Sequence, residues 1–437
     1  MNTFATIVKK KLSALIRELS EISALFSQNP NSDFTRNRKL NFETLIHFLL
    51  TMEGGTLSKE ILEYFSYDLN AVTVSAFNQQ RQKLLPEAFE FLFHEFNASF
   101  PGKKKYQGYT LLACDGSDIN ISRNSEDKDT YVQPTSKEMG FNQLHLNALY
   151  DVLERRYIDA IIQPVRRKNE YRAMTDMIDR SRLKEKVIIM ADRGYESYNV
   201  FAHAEKKAWN YLIRVKDINS KGILSGFELP KQEEFDIIVN TSLTRKQTNE
   251  VKENTSKYKI LTRKSTFDYL DLHTNVFYPI SFRIVRFKLS EHSYECIVTN
   301  LDKEEFPATR IKELYHLRWG IETSFRELKY AIGLTNFHAK KVAYITQEIL
   351  ARMIMYNFCE LITTSVILSQ KDTKHNYQVN YTMAIHICRY FLKLREEHKP
   401  PAIEALIRRY ILPVRTGRHD PRKVRIQGSV SFLYRVA

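Results

Sequence analysis

Residues 187–195 read V-I-I-M-A-D-R-G-Y. Five apolar residues bounded by turn formers have the pattern of a fully buried strand. Asp192 follows it directly, and Gly194 lets the backbone turn away. An acid at the end of a buried strand is poorly placed to be an ordinary surface charge. Residues 109–117, Y-T-L-L-A-C-D-G-S, repeat the pattern with Asp115 and Gly116. Each segment is expected to deliver an aspartate at the C-terminal end of a strand, although either one alone also fits a turn cap. Working outward, Gln143–Val152 alternates as a strand does, and Arg156–Val165 follows after a turn at Leu153–Glu154. A helix is expected at about Asn169–Leu183, another from about Tyr198 to Trp209, and a last strand at Tyr211–Asp217. The order β-β-β-α-β-α-β describes an α/β chain with a mixed sheet flanked by helices.

Residues 315–329, Y-H-L-R-W-G-I-E-T-S-F-R-E-L-K, carry the second decisive pattern. At ~100° per residue, Tyr315, Arg318, Glu322 and Lys329 fall in a helical stripe roughly 60° wide. Leu314, Leu317, Ile321, Phe325 and Leu328 form an apolar stripe beside it. The apolar stripe can dock on a core while the polar one is presented at a cleft. One carboxylate among a phenol, a guanidinium and an ammonium suits work on phosphate, the acid holding a divalent metal and the cations gripping oxygens. A solvated face with spaced salt bridges has the same spacing. With Asp115 and Asp192, Glu322 completes a set of hard oxygen ligands of the kind that paired Mg²⁺ or Mn²⁺ ions require. Arg326, on the same helix, and Arg193 are further candidates for phosphate contacts.

The element order is that of an RNase H-like fold, with Asp115 and Asp192 meeting on neighbouring strands and the Glu322 helix closing the site. The chain also resembles the insertion-sequence-4 family of DDE transposases. Three blocks carry the resemblance: D-G-S at 115–117, D-R-G-Y at 192–195 with the strand at 211–216, and Tyr-x2-Arg-x3-Glu-x6-Lys at 315–329, preceded by V-T-N-L at 298–301. The resemblance implies an RNase H-like core whose metal-binding triad is Asp115, Asp192 and Glu322, with two Mg²⁺ (or Mn²⁺) ions. It implies that Tyr315, Arg318 and Lys329 contact phosphates of the transposon end. It further implies cut-and-paste DNA transposition: binding of terminal inverted repeats, metal-dependent cleavage and strand transfer into target DNA. The partner is then double-stranded DNA, handled by a homodimer on paired ends in the bacterial cytoplasm at the nucleoid. The family also places a β-rich insertion between the last core strand and the glutamate helix. Here Phe235–Thr241, Tyr258–Arg263, Thr274–Val285 and Ser293–Thr299 read as its strands. Better-studied relatives stack a flipped base on a tryptophan of this insertion. The two tryptophans here, Trp209 and Trp319, lie outside it. Tyr294 is placed to stack instead, or to serve as an ordinary cross-strand aromatic.

Composition agrees with a polyanion partner: Lys and Arg number 66 against 51 Asp and Glu, a surplus of +15. Cys114, Cys296, Cys359 and Cys388 are widely spaced and match no zinc pattern, so they read as reduced thiols. No signal-peptide core or nucleotide-binding glycine loop is seen, and neither a membrane nor a nucleotide cofactor is expected. The most apolar helix, Ile349–Leu368, is interrupted by Arg352, Asn357 and Glu360, which makes it core rather than membrane. The expected organisation is a helical region at 1–100, a first catalytic part at 101–217, the insertion at 218–304, the glutamate helix at 305–337 and a helical region at 338–437. In the first region, helices at Leu40–Met52, Leu57–Phe65 and Ser75–Leu85 suggest either a helix-turn-helix-like module, with Gln80 and Arg81 meeting DNA, or a plain bundle. The last region carries candidate helices at Gln347–Ser369, Tyr381–Glu397 and Ala402–Leu412, then a basic tail from Val414 to Ile426. Two rival readings are a domesticated, non-catalytic DNA-binding regulator and another RNase H-like endonuclease.

Overall fold

The computed structural model describes residues 3–136, 139–218, 220–291, 293–366, 376–394 and 398–414; the basic residues from Arg415 onward lie outside them. Five helices come first: α1 (Thr3–Glu21), α2 (Phe42–Thr51), α3 (Leu57–Tyr64), α4 (Val74–Arg81) and α5 (Glu87–Ala98). Side-chain caps fix three of their starts, with Asn41, Thr56 and Thr73 accepting the N–H groups of Thr44, Lys59 and Ala76. Each cap is worth ~1 kcal/mol.

The core sheet follows as β1 (Thr110–Ile121), β2 (Tyr131–Val132), β3 (Phe141–Asp151) and β4 (Arg156–Pro164). Then come α6 (Glu170–Arg180), β5 (Val187–Ala191), α7 (Tyr198–Lys206) and β6 (Asn210–Val215). β1 runs antiparallel to β3 and parallel to β5, and β5 runs parallel to β6. With β4 on β3, the spatial order is β4-β3-β1-β5-β6. One boundary departs from the sequence reading: β1 does not stop at Asp115 but continues six residues further. Its partner β3 is long enough to pair Asp115 with Ala148 and Ile121 with Asn142, so the ladder carries the strand past the glycine.

The β-rich stretch contributes β7 (Phe235–Thr244), a short α8 (Asn249–Glu253), β8 (Tyr258–Ile260), β9 (Phe277–Ser290) and β10 (Ser293–Thr299). It does not form a sheet of its own. β10 pairs antiparallel with β6, Val298 opposite Ile213, and β9, β7 and β8 extend the row. Among the described residues, ten strands make one mixed sheet.

The last elements are α9 (Ala308–Leu317), α10 (Trp319–Arg326), a π-helical turn (Glu327–Ile332), α11 (Val342–Ser365), β11 (Tyr377–Val379), α12 (Tyr381–Lys393), α13 (Ile403–Arg409) and β12 (Ile411–Pro413), which pairs with β11. One apolar cluster joins the first helices, α10, α11 and α12 to Leu144, Leu146 and Tyr157 on one face of the sheet. A second packs α6 and α7 on the opposite face and runs on into the β-rich stretch. A third seats α9 on Leu111, Ile188, Met190 and Leu212.

The polar residues that interrupt α11 are internal ties. Glu348 lies 2.9 Å from Arg81 and 3.4 Å from Arg352, Glu360 meets Arg155 at 3.2 Å, and the Asn357 amide oxygen accepts the Tyr157 N–H. No helix among the described residues is long and apolar enough to cross a membrane.

Candidate active site

Parallel pairing sets Cys114 beside Ala191, so the next residue on each strand, Asp115 and Asp192, stand side by side. Asp192 follows the last residue of β5, whereas Asp115 is held mid-strand. Each carboxylate has one oxygen tied to backbone: Asp115 Oδ1 accepts the Gly116 N–H at 2.8 Å, and Asp192 Oδ1 accepts the Gly194 N–H at 2.7 Å. Asp192 does cap a turn, then, yet its second oxygen has no hydrogen bond among the described residues. Burial raises Asp115 to about 6, and the neighbouring charges of Asp192 and Glu322 add to the rise, while the Gly116 N–H and Arg318 oppose it. The second Asp192 oxygen is open to a hard cation, and the rise at Asp115 marks a carboxylate held against neighbouring negative charge.

Tyr315, Arg318 and Glu322 arrive on the helical segment, which differs in detail from one straight helix. The α-helical ladder breaks at Arg318 and turns to π-helical spacing from Glu327. Ile321, Phe325 and Leu328 are buried against the sheet as their spacing implies, and Ser324 Oγ lies 2.8 Å from the Tyr157 hydroxyl. Leu317, just before the break, is the one member of the apolar stripe left exposed, at 39 %. Arg318, expected at a cleft edge, is 4 % exposed. Its guanidinium lies 2.8 Å from Glu322 Oε1 and 3.8 Å from Asp115 Oδ2, so a cation already sits between the helix acid and the strand acid. Glu322 is thereby drawn toward Arg318, and no three His, Cys, Asp or Glu side chains among the described residues gather closely enough to hold a metal ion.

Among the described residues, the Tyr315 hydroxyl and Arg318 Nε are buried near the acids without hydrogen-bond partners. An unpaired buried polar atom costs about 1–3 kcal/mol, which marks where an oxygen-rich ligand would be welcome. Lys329 donates to the Asp118 carbonyl at 2.9 Å, and burial lowers its ammonium pKa.

The remaining sequence candidates are distributed unevenly. Arg193 and Arg326 are exposed. Tyr294 lies under the Arg286 guanidinium, 4.0 Å from ring centroid to Cζ. Gln80 and Arg81 are 5 % and 2 % exposed, because that side of α4 faces inward. Arg81 is engaged by Glu348, Gln347 and the Tyr344 carbonyl, which removes it as a DNA contact; the exposed face of α4 instead carries Asn78, Gln79 and Gln82.

Behind Gly116 the structure reveals a polar cluster that the sequence reading passed over. His145, 2 % exposed, lies with Nδ1 2.5 Å from Asp118 Oδ1 and Nε2 3.1 Å from Glu170 Oε1. Lys168 reaches the same two acids at 3.7 and 3.1 Å. Burial works against a charged imidazole, but the two carboxylates outweigh it and raise the pKa. The available signal was the alternation Gln143, His145, Asn147 between Leu144, Leu146 and Ala148. Arg214 and Glu295, paired at 3.1 Å, were also missed; both bear on the electrostatics of Tyr315.

Residues 106–358 match the family model described as a transposase DDE domain. No curated protein matches the chain. Among solved structures, the fold is similar to that in a cryo-EM structure of a piggyBac transposase synaptic complex with hairpin DNA, at 10 % identity and a TM-score of 0.48, covering 89 % of this chain and 80 % of that one.

Proposed function

The chain belongs to the transposase DDE domain family, and on that premise we propose that it is the DNA transposase of an insertion sequence, built on an RNase H-like core, that cuts at terminal inverted repeats and joins the ends to target DNA. The observation that carries this reading is the register of β1 on β5, which sets Asp115 and Asp192 side by side and within the field of Glu322. These three acids would hold Mg²⁺ or Mn²⁺, with two ions expected; when bound, they supply Lewis-acid polarisation of the phosphodiester and a water of lowered pKa.

The chain's own residues bind and orient. The Tyr315 hydroxyl and Arg318 Nε, both buried without partners among the described residues, are donors prepared for non-bridging phosphate oxygens. Arg318 holds Glu322 through Nη2 while its Nε stays available, so one guanidinium links the acid to the strand being cut. Lys329 adds positive charge at the Asp118 side of the site and, partly buried, attracts an anion more strongly than an exposed lysine would. The apolar seat of Ile321, Phe325 and Leu328 keeps Glu322 at a fixed height above the sheet. A homodimer working on paired ends completes the proposal.

The deciding experiment is cleavage of a labelled duplex carrying the element's terminal repeat, with Mg²⁺ or with EDTA, by wild type and Asp192→Ala. Metal-dependent nicking that disappears in the variant is the expected result. Sequence-specific binding with no cut under any condition would replace the enzyme by a DNA-bound regulator.

A further inference from the structure

The segment before α2 folds back along the end of α4. The Leu85 N–H donates to the Phe26 carbonyl and the Gln28 N–H to the Lys83 carbonyl, and Phe34 turns the chain with a left-handed φ of 57°, a conformation that a bulky side chain rarely adopts. Between this turn and α4 lies a cavity of about 480 Å³ whose lining includes Asn31, Asp33, Arg36, Arg38, Gln80 and Lys83. Its charges are one-sided. The single carboxylate, Asp33, is engaged by the Asn29 N–H at 2.9 Å and by Lys83 at 3.8 Å. Arg36 and Arg38 are exposed and make no ion pair among the described residues. Gln80 is 5 % exposed, yet its amide has no hydrogen-bond partner among the described residues. As a lining residue, it offers its amide N–H to an acceptor in the cavity.

Two unpaired guanidiniums, an ammonium and an amide, with no free acid among them, specify an anion rich in acceptor oxygens, and phosphate fits the planar forks of arginine well. We propose that this cavity binds a backbone phosphate of DNA. The exposed arginines leave it open to a polymer, and the neighbouring face of α4 offers Asn78, Gln79 and Gln82 to whatever continues beyond the phosphate. The DNA part rests on the transposase reading, whereas the phosphate chemistry rests on the cavity alone.

The test is fluorescence anisotropy with the full chain, as wild type, Arg36→Ala/Arg38→Ala and Gln80→Leu, against a terminal-repeat duplex and a random duplex over a range of salt. Both arginines are exposed, so the double variant should fold, which circular dichroism verifies. It should weaken binding to both duplexes about tenfold and lower the slope of log K against log salt by about one; Gln80→Leu should weaken binding less. A wild type that binds and cuts, with a double variant of equal affinity and slope, overturns this proposal and leaves the transposase reading standing. A wild type that neither binds nor cuts any duplex overturns both. Inorganic phosphate that protects wild type but not the double variant from thermal unfolding, with DNA affinity unchanged, makes the ligand free phosphate and overturns the DNA assignment.

Discussion

Replacing Gly116 by alanine isolates a single steric demand beside the candidate acids. A Cβ at this position would fall 2.7 Å from His145 Cε1, nearer still to Nε2, and 3.0 Å from Glu170 Oε1. His145 is 2 % exposed and has nowhere to retreat, so the imidazole must leave its place between Asp118 and Glu170. Three terms compete. Alanine in place of glycine stabilises an ordinary strand position by about 0.4–1 kcal/mol through the unfolded chain. Overpacking of a closed site costs about 1–3 kcal/mol. Loss of charge-assisted contacts costs about 1.5–3 kcal/mol, discounted because the Asp118 side chain is 47 % exposed. The steric and electrostatic terms win, and Gly116→Ala should be destabilised by about 2–4 kcal/mol. Urea unfolding of wild type, Gly116→Ala, His145→Ala and the double variant measures this. In the His145→Ala background, where the imidazole is gone, the same glycine change should be nearly neutral or slightly stabilising. An equal cost in both backgrounds, or a Gly116→Ala chain as stable as wild type, would refute the steric account.

Other perturbations read different parts of the molecule. Glu322→Gln should abolish cleavage of terminal-repeat DNA while leaving its binding within a few-fold; persistent cutting would remove Glu322 from the proposed triad. Arg81→Met strips the buried Glu348 of its 2.9 Å partner and should cost about 3–5 kcal/mol, visible as a lower melting midpoint; an unchanged midpoint would mean the pair is not buried in solution. His338 lies 3.3 Å from Glu60 and 3.6 Å from Glu348, and although burial opposes its charge, these acids lift it from 6.5 to about 9. A raised folded-state pKa gives stability that is complete below 6.5 and lost as pH rises through about 9, roughly 3 kcal/mol in all. The urea midpoint of wild type should therefore fall relative to His338→Gln between pH 6 and 9.5, and parallel curves would contradict it.

The sequence was most informative where one local rule applied. Buried apolar runs ending in Asp192, and strands alternating at Gln143–Val152, gave the core elements in order, because period and composition are local properties. The place of Asp115 was misread for an instructive reason. A glycine after an acid suggests a turn, but Gly116 is required by the imidazole of His145, a residue 29 positions away that only the β1–β3 register brings there. The same limit hid the role of Arg81: a charged residue on a polar helix looks solvated until its partner on α11 is known. Nor does any local pattern say which sheet a strand joins, so the row β6–β10–β9 could not be foreseen from residues 235–299.

That row has a mechanical consequence. A strand ladder resists shear because its cross-links must fail together, so the β-rich stretch cannot swing as a hinged flap relative to the strands bearing Asp115 and Asp192. Load applied at the far strands β7 and β9 passes through β10 and β6 directly to β5. Any rearrangement while a substrate is handled must be absorbed at the rim, in the loops and in the broken helix around Arg318, and not by sliding within the sheet. In hydrogen exchange, the amides of β5, β6 and β10 should open as one unit, with β8, the edge strand beside β7 among the described residues, fraying first.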